Sequence, residues 1–276
     1  MTRCCTEPES PIAKLLPARL KPAPRPRFPF PDIDRFGGLP KARQRRDVAR
    51  IYTSGNSEDY VTWCVFTLLR RLPPGEWWPQ LLELAGIVGD LPGTDDPPRT
   101  ELWRTVPSPP AYERASRSRM LASPDPAWTA RARDPRSVEG ETEVDVALEG
   151  ASYLIFAEAK LHSDISPRTT YDPSRDQVVR NIDCLLEQAG DRQPLFWMFV
   201  KDLDPHRAYR ETLARYRADP GRVATLLPHR EPGLVAQVVG SVTVLLWSDL
   251  LPLVAVAPGD DTAAIVAELT RRAGRR

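Results

Sequence analysis

Two carboxylates and a lysine lie close together near the middle of the sequence. Asp145 is followed, after twelve intervening residues, by the triplet Glu158-Ala159-Lys160. If the triplet lies in a strand, Glu158 and Lys160 share one face and Ala159 points to the other. Neighbouring carboxylates repel one another unless a cation lies between them, and oxygen ligands at an open site suit Mg²⁺ or Mn²⁺. A lysine beside such an ion can orient a water, or help deprotonate it, for attack on a phosphodiester.

The segment 141–160 has the pattern of a β-hairpin that would bring these groups together. Residues 141–148 alternate polar and apolar, Glu149-Gly150 is a turn signal, and residues 153–157 form an apolar run typical of a central strand. The alternation predicts one face with Glu141, Glu143 and Asp145 and another with Val144, Val146 and Leu148. With a different hairpin register, Glu143 could replace Asp145 as a ligand.

Helices are expected on both sides of this hairpin. One begins near Asn56 or Ser57, each a good N-cap, and ends at Pro73-Pro74-Gly75; a shorter helix follows at 78–85. A second firm helix is expected to start at Asp172-Pro173 and to end at Gly190, with an apolar stripe on Val178, Val179, Ile182, Leu185 and Leu186.

The remaining elements are expected to complete a sheet. They are a strand at 195–200, a polar helix at 207–217, a strand at 242–247 and a C-terminal helix at 261–272. Residues 89–138 are expected to be a long irregular insertion with one short helix around 112–121. This order predicts an α/β fold, in which helices cover the faces of a mixed sheet.

The spacing and element order resemble the PD-(D/E)XK superfamily of nucleases, which includes restriction endonucleases and many repair and defence nucleases. The resemblance implies a restriction endonuclease-like mixed central sheet flanked by helices. Asp145 and Glu158 would bind Mg²⁺ (or Mn²⁺), and Lys160 would be the catalytic lysine. A departure is Val144, which stands where the literal motif has proline.

Two further residues match positions that many families of this fold use. Glu58 lies on the first core helix, and Gln177 lies on the helix after the lysine strand. By the resemblance, both would complete the site. Arg180 and Asn181 follow Gln177 by three and four residues, so they can share its helix face.

The function implied by the resemblance is metal-dependent hydrolysis of phosphodiester bonds by an endonuclease, with DNA expected rather than RNA. A homodimer is compatible with it, because double-strand cleavage by this fold often needs two active sites. One alternative is a non-catalytic member of the same fold that binds nucleic acid or a protein. Another is an interaction protein in which Glu158 and Lys160 form a solvated salt bridge on an edge strand.

Charge is unevenly distributed along the chain. The first 50 residues hold twelve Lys or Arg and five Asp or Glu, a net charge of +7, whereas the whole chain carries +1, which leaves −6 for the remainder. Residues 1–46 are rich in proline and basic residues and are interpreted as an arm, flexible or draped over the body, with DNA contact as the alternative. Residues 47–276 form the predicted nuclease-like domain.

The cysteines and the hydropathy exclude several other classes. Four cysteines without a C-x-x-C pair disfavour a zinc or iron–sulfur site, and Cys64 and Cys184 are expected in the core. The N-terminus lacks the apolar stretch of a signal peptide, and no segment approaches about 18 uninterrupted apolar residues. A cytoplasmic location without a membrane partner is therefore expected. His162, just past Lys160, is expected to be a loop residue.

Overall fold

The computed structural model describes Pro29, Ser54, residues 56–87, 97–134 and 138–169, Asp172, and residues 174–274. In chain order, the elements are α1 (Glu58–Leu69), α2 (Pro74–Leu84), β1 (Arg99–Val106), α3 (Pro110–Leu121), α4 (Pro126–Arg133), β2 (Thr142–Glu149), β3 (Tyr153–Ala159), α5 (Gln177–Ala189), β4 (Gln193–Val200), α6 (Ala208–Ala218), α7 (Pro220–Leu226), α8 (Pro232–Gly240), β5 (Thr243–Leu246), α9 (Trp247–Ala255) and α10 (Thr262–Ala273).

The strands form a mixed five-stranded sheet in the order β1-β2-β3-β4-β5. β2 is antiparallel to both β1 and β3, while β3, β4 and β5 are parallel to one another. The predicted α/β class and the predicted hairpin are confirmed. β3 lies in the centre of the sheet and all seven of its residues are buried, as its apolar run predicts.

Helices cover both faces of the sheet and enclose two cores. On one face, α1, α2, α9 and α10 pack against side chains such as Ile155 and Trp197. On the other, α5, α6, α7 and α8 pack against side chains such as Phe156 and Met198. Alternate residues of the central strands therefore supply both cores, which accounts for the continuous apolar runs in their sequences.

The start of α1 agrees with the sequence, whereas its end does not. Ser57 is the N-cap, and its side chain accepts a hydrogen bond from the Tyr60 amide at 3.2 Å. The helix ends at Leu69, and the Pro-Pro-Gly segment begins α2 because Pro74 occupies its first turn. Proline suits that position, since its fixed φ is already helical and its missing N–H has no partner there.

The predicted start of α5 at Asp172-Pro173 is wrong. The N-cap is Asp176, whose carboxylate accepts from the Val179 amide at 2.9 Å, and Gly190 ends the helix with φ 59° as predicted. Asp172 is engaged elsewhere, because its carboxylate accepts from the Tyr112 hydroxyl at 3.0 Å. Both aspartates are good caps by residue type, and tertiary contacts decide between them.

The expected irregular insertion at 89–138 is also wrong for the described residues 97–134. These residues form β1, α3 and α4, of which only the helix around 112–121 was predicted. β1 pairs with β2 from Arg99↔Glu149 to Val106↔Thr142. Its sequence lacks polar–apolar alternation and its partner lies far away along the chain, so local pattern does not reveal it. The helices α7, α8 and α9 were likewise not predicted.

The ladder between β1 and β2 is interrupted beside Asp145. The pairs Leu102↔Val146 and Arg104↔Val144 flank Trp103, which has φ 52° and no pair of its own. Val144 packs in the core beneath α5, whereas Val146 packs in the core beneath α1. The predicted common face for these two valines is therefore wrong, because the irregularity changes the alternation of β2 at Asp145.

The N-terminal arm predicted at 1–46 lies outside the described residues, apart from Pro29. The Pro29 carbonyl accepts a hydrogen bond from the Tyr60 hydroxyl on α1. Cys64 and Cys184 are buried and unpaired, as expected. Among the helices described, none is long and apolar enough to cross a membrane.

Candidate active site

The two predicted acidic residues meet where β2 and β3 part. Val146↔Ala157 is the last pair of that ladder; Asp145 immediately precedes Val146, and Glu158 immediately follows Ala157. The Asp145 carboxylate accepts a hydrogen bond from the Ala159 amide at 2.9 Å. The hairpin therefore brings Asp145 and Glu158 side by side at one end of the sheet.

Glu158 is enclosed by three donors. Its Oε1 lies 2.7 Å from the Lys160 ammonium and accepts a hydrogen bond from the Gln177 amide, also at 2.7 Å. Its Oε2 accepts from the Asn181 amide at 2.7 Å. Only 3% of the Glu158 surface is exposed. Charged hydrogen bonds in so dry an environment fix the carboxylate in one orientation.

Burial and repulsion alter the protonation of this carboxylate. Burial, together with the negative charge of Asp145, raises the pKa of Glu158 to about 8, even though Lys160 and Asn181 act in the opposite direction. Burial alone lowers the pKa of Lys160, but the charges of Glu158, Glu58 and Asp145 outweigh that effect and raise it above its ordinary value. Lys160 therefore keeps its proton at neutral pH.

The backbone of Lys160 is anchored on both sides. Its amide donates to the Phe199 carbonyl on β4 at 2.7 Å, and its carbonyl accepts from the Trp247 indole N–H at 3.1 Å. The side chain is almost completely buried, with 8% exposed. These contacts rule out the alternative of a solvated Glu–Lys pair on an edge strand, because β3 is central and both side chains are buried.

Glu58 reaches the loop that follows Lys160. Its carboxylate accepts from the Leu161 amide at 3.0 Å and from the Ser163 hydroxyl at 2.9 Å and 2.8 Å. The helix α1 thus holds this loop in place, and the charge of Glu58 acts on Lys160. The structure brings Glu58 to the edge of the cluster, in contact with the lysine loop and not with Glu158.

The other candidates are placed less centrally. Glu143 is exposed and lies opposite Thr105 on β1, so the hairpin register favours Asp145 as the partner of Glu158. Arg180 donates to the Glu141 carbonyl at 2.9 Å and lies outside the cluster. His162 is an exposed loop residue.

Two residues of the cluster were not predicted in their present roles. Asn181 was expected only to share a helix face with Gln177, and that spacing is the signal that could have identified it. The position of Ser163 just past the lysine strand is compatible with a place in the cleft, but its contact with Glu58 joins segments 105 residues apart and was not predicted.

The donor set is compatible with a hard divalent cation. Mg²⁺ is commonly held by one or two carboxylates together with water, and Asp145 and Glu158 supply two. Their mutual repulsion, which raises the pKa of Glu158, is the effect that a cation between them would relieve. Within the described ranges, however, no group of three or more His, Cys, Asp or Glu side chains is arranged to hold a metal.

Fold and site together define an α/β protein with a buried acid–lysine cluster at one end of a mixed sheet. No family model, curated protein or solved structure matches the chain. The geometry of the cluster is therefore the basis for inferring a function.

Proposed function

We propose that this protein is a metal-dependent nuclease of the PD-(D/E)XK type, with a restriction endonuclease-like fold, that hydrolyses phosphodiester bonds in DNA. One observation carries the proposal. Asp145 and Glu158 meet at the point where two central strands part, and the buried ammonium of Lys160 lies 2.7 Å from Glu158. The mixed sheet, in which an antiparallel hairpin continues into a parallel strand, supports it.

Each residue has a proposed part. Asp145 and Glu158 would hold Mg²⁺ or Mn²⁺, which when bound would stabilise negative charge that develops on the phosphate. Gln177 and Asn181 keep both Glu158 oxygens in place. Lys160 keeps its proton, so it serves as a donor that orients the attacking water or a phosphate oxygen.

Glu58 acts indirectly in this proposal, through the loop that follows Lys160. By holding the Leu161 amide and the Ser163 hydroxyl, it fixes the chain immediately after Lys160. It is therefore a positioning residue in this proposal. Small displacements of a catalytic group are costly, so a fixed loop favours reaction.

A non-catalytic binding protein of the same fold is the second candidate, and one observation favours it. Both oxygens of Glu158 already have partners in Lys160, Gln177 and Asn181. A network closed in this way is a stable structural unit without any ion. A binding protein would retain its affinity for nucleic acid when Lys160 is replaced.

The decisive experiment is cleavage of supercoiled plasmid, single-stranded DNA and RNA in Mg²⁺, Mn²⁺ or EDTA. We expect metal-dependent cutting of DNA by the wild type and a loss of roughly a hundredfold or more in Lys160→Ala and Glu158→Gln. Arg271→Ala on α10, whose side chain is 57% exposed, is the charge-removal control. Cutting that survives in Lys160→Ala, or no cutting by the wild type, would favour the binding protein.

A further inference from the structure

A cavity of about 540 Å³ lies between α6, the loop 201–207 and β5. Its volume is within the usual range of small-ligand sites, which is a few hundred to about 1,000 Å³. Leu203, Pro205 and Val244 give it apolar walls. Leu203 is 47% exposed, so its side chain is accessible to a ligand in the cavity.

Two arginines line the same cavity. Arg210 uses one N–H to donate to the Leu203 carbonyl at 2.8 Å, and Arg217 uses one to donate to the Val242 carbonyl. A guanidinium has five N–H donors, so each arginine has donors left for a ligand. Within the described part of the chain, neither forms an ion pair, although the Glu211 carboxylate also lines the cavity.

The loop 201–207 connects this cavity to the candidate active site. Lys201 follows β4 directly and, like Leu161, lies two residues beyond the pair Ala159↔Phe199. At the other end of the loop, Arg207 donates to the carbonyls of His162 at 3.1 Å and Ser163 at 2.8 Å. Both ends of the loop therefore lie beside the segment after Lys160, and its middle residues Leu203 and Pro205 line the cavity.

The excess of positive charge lies on α6. Residues 201–207 contain two basic and two acidic side chains, whereas residues 208–217 contain three basic and one acidic side chain, within a chain whose residues 51–276 are net negative. Burial lowers the pKa of His162, and the charges of Lys201 and Arg207 lower it further, whereas those of Glu58 and Asp202 act in the opposite direction. The arginines of α6 therefore supply the counter-charge for an anion at the cavity.

We infer that this cavity binds a nucleotide of the nucleic-acid strand that extends beyond the cleaved bond. The phosphates would contact Lys201, Arg210 and Arg217, and the base would lie against Leu203, Pro205 and Val244. Arginines beside an apolar recess suit one strand of nucleic acid, because the phosphates need counter-charge and the base needs an apolar surface. The inference rests on the proposed function, because it takes its substrate from there.

The proposed nucleotide site is tested by measuring binding under conditions that prevent cleavage. We would titrate the full-length protein into a labelled single-stranded oligonucleotide in EDTA at several salt concentrations. Wild type is compared with Lys201→Ala, with the double variant Arg210→Ala/Arg217→Ala, and with Arg271→Ala on the opposite face of the sheet. Each lost phosphate contact should weaken binding and reduce the slope of log affinity against log salt by about one. Arg271→Ala should leave the slope unchanged.

The outcomes separate this inference from the proposed function. Unchanged slopes in both test variants, while the wild type still cuts DNA, would overturn the cavity site and leave the nuclease intact. Reduced slopes in a protein that cuts nothing would support the cavity site and count against the nuclease. No binding by the wild type, or an equal loss in Arg271→Ala, would overturn the inference as well.

Discussion

Glu158 is buried beside a second carboxylate, and this makes its protonation depend on pH near neutrality. Its pKa is raised to about 8 in the folded protein from an ordinary value of 4.5. Between these values the folded state holds a proton that the unfolded state releases. The free energy of unfolding therefore falls as pH rises from about 4.5 to about 8.

Thermal unfolding in EDTA provides the first test. We expect the wild type to melt at a lower temperature at about pH 8 than at about pH 6, by an amount that reflects a few kcal/mol. Glu158→Gln should remove most of this difference, because the amide does not titrate. Mg²⁺ should raise the melting temperature more at about pH 8, where less proton competes with it.

The matched control is Glu187→Gln on the outer side of α5, a glutamate with 32% of its side chain exposed. It should leave the pH dependence unchanged. A wild-type melting temperature that does not change between about pH 6 and about pH 8, or a change that Glu158→Gln retains, would show that Glu158 is not the titrating group.

Asn181 holds the second oxygen of Glu158, and it is one of two asparagines in the chain. Asn181→Ala leaves that buried oxygen without its donor, so we expect a loss of about 1–3 kcal/mol in the free energy of unfolding. Asn181→Asp should cost more as the pH rises to about 8, because its carboxylate then repels the ionised Glu158. Urea unfolding measures both, with Asn56→Ala as the control.

An effect of Asn181→Ala no larger than that of Asn56→Ala would remove Asn181 from the cluster. Under the proposed function, Asn181→Ala should also weaken Mg²⁺ binding, measured calorimetrically, since Glu158 would lose its fixed orientation. A purely structural asparagine would lower stability without changing the affinity for the ion.

The residues of the cluster were largely accessible to sequence reasoning. The pairing of Asp145 with Glu158 and Lys160 follows from strand period and hairpin geometry. Gln177 was predicted only from the resemblance to the PD-(D/E)XK superfamily, in which many families have a glutamine on the helix after the lysine strand. The contact of Asn181 with Glu158 did not follow, because a shared helix face does not tell whether Arg180 or Asn181 reaches the strand.

At the scale of elements, α1 holds the loop that carries Lys160. Glu58→Ala removes the acceptor for the Leu161 amide, so we expect that amide to exchange its hydrogen faster, by roughly the five- to tenfold that a hydrogen bond of about 1 kcal/mol implies. Hydrogen–deuterium exchange of peptides covering 160–166 measures this. Cleavage should fall in parallel under the proposed function.

Glu76→Ala, on the exposed first turn of α2, is the control for this change. It removes a glutamate from a helix start without touching the loop. Exchange at 160–166 that is the same in both variants would mean that the loop is held by other contacts, such as that of Arg207 with the His162 carbonyl.

Several elements with local signals were predicted, although α7, α8 and α9 were missed, and the strand that depends on a distant partner was not predicted. Ser57 and Gly190 mark helix ends through their own conformation and hydrogen bonding. β1 exists because β2 pairs with it, and the irregular position of Trp103 depends on that pairing. A left-handed tryptophan beside a candidate site is a strain that only the assembled sheet can impose.

At the scale of the whole molecule, net charge is distributed unevenly between the N-terminal 50 residues and the rest of the chain. Residues 51–276 carry a net charge of −6, and the basic side chains Lys160, Lys201 and Arg207 lie at one end of the sheet among acidic groups of the candidate site and the loop 201–207. An acidic body repels nucleic acid at long range, so attraction has to come from local contacts or from the basic N-terminal segment. Within the first 50 residues the structure describes Pro29, whose carbonyl accepts a hydrogen bond from the Tyr60 hydroxyl on α1, two residues beyond Glu58.

Truncation of residues 1–28 measures how much the basic N-terminal segment contributes to the long-range attraction of nucleic acid. This removes six basic and two acidic residues but retains Pro29. We expect weaker nucleic-acid binding at low salt and a difference that disappears as salt rises, because exposed charges act over about 10 Å at 0.1 M salt and less above it. The melting temperature should stay the same, since the Pro29 contact remains. Truncation of residues 1–50, which removes that contact, should lower it. Equal melting temperatures for the two truncations would show that the Pro29 contact contributes nothing to the stability of the folded protein. Affinity for nucleic acid that falls equally at every salt concentration would indicate specific contacts by the arm with nucleic acid.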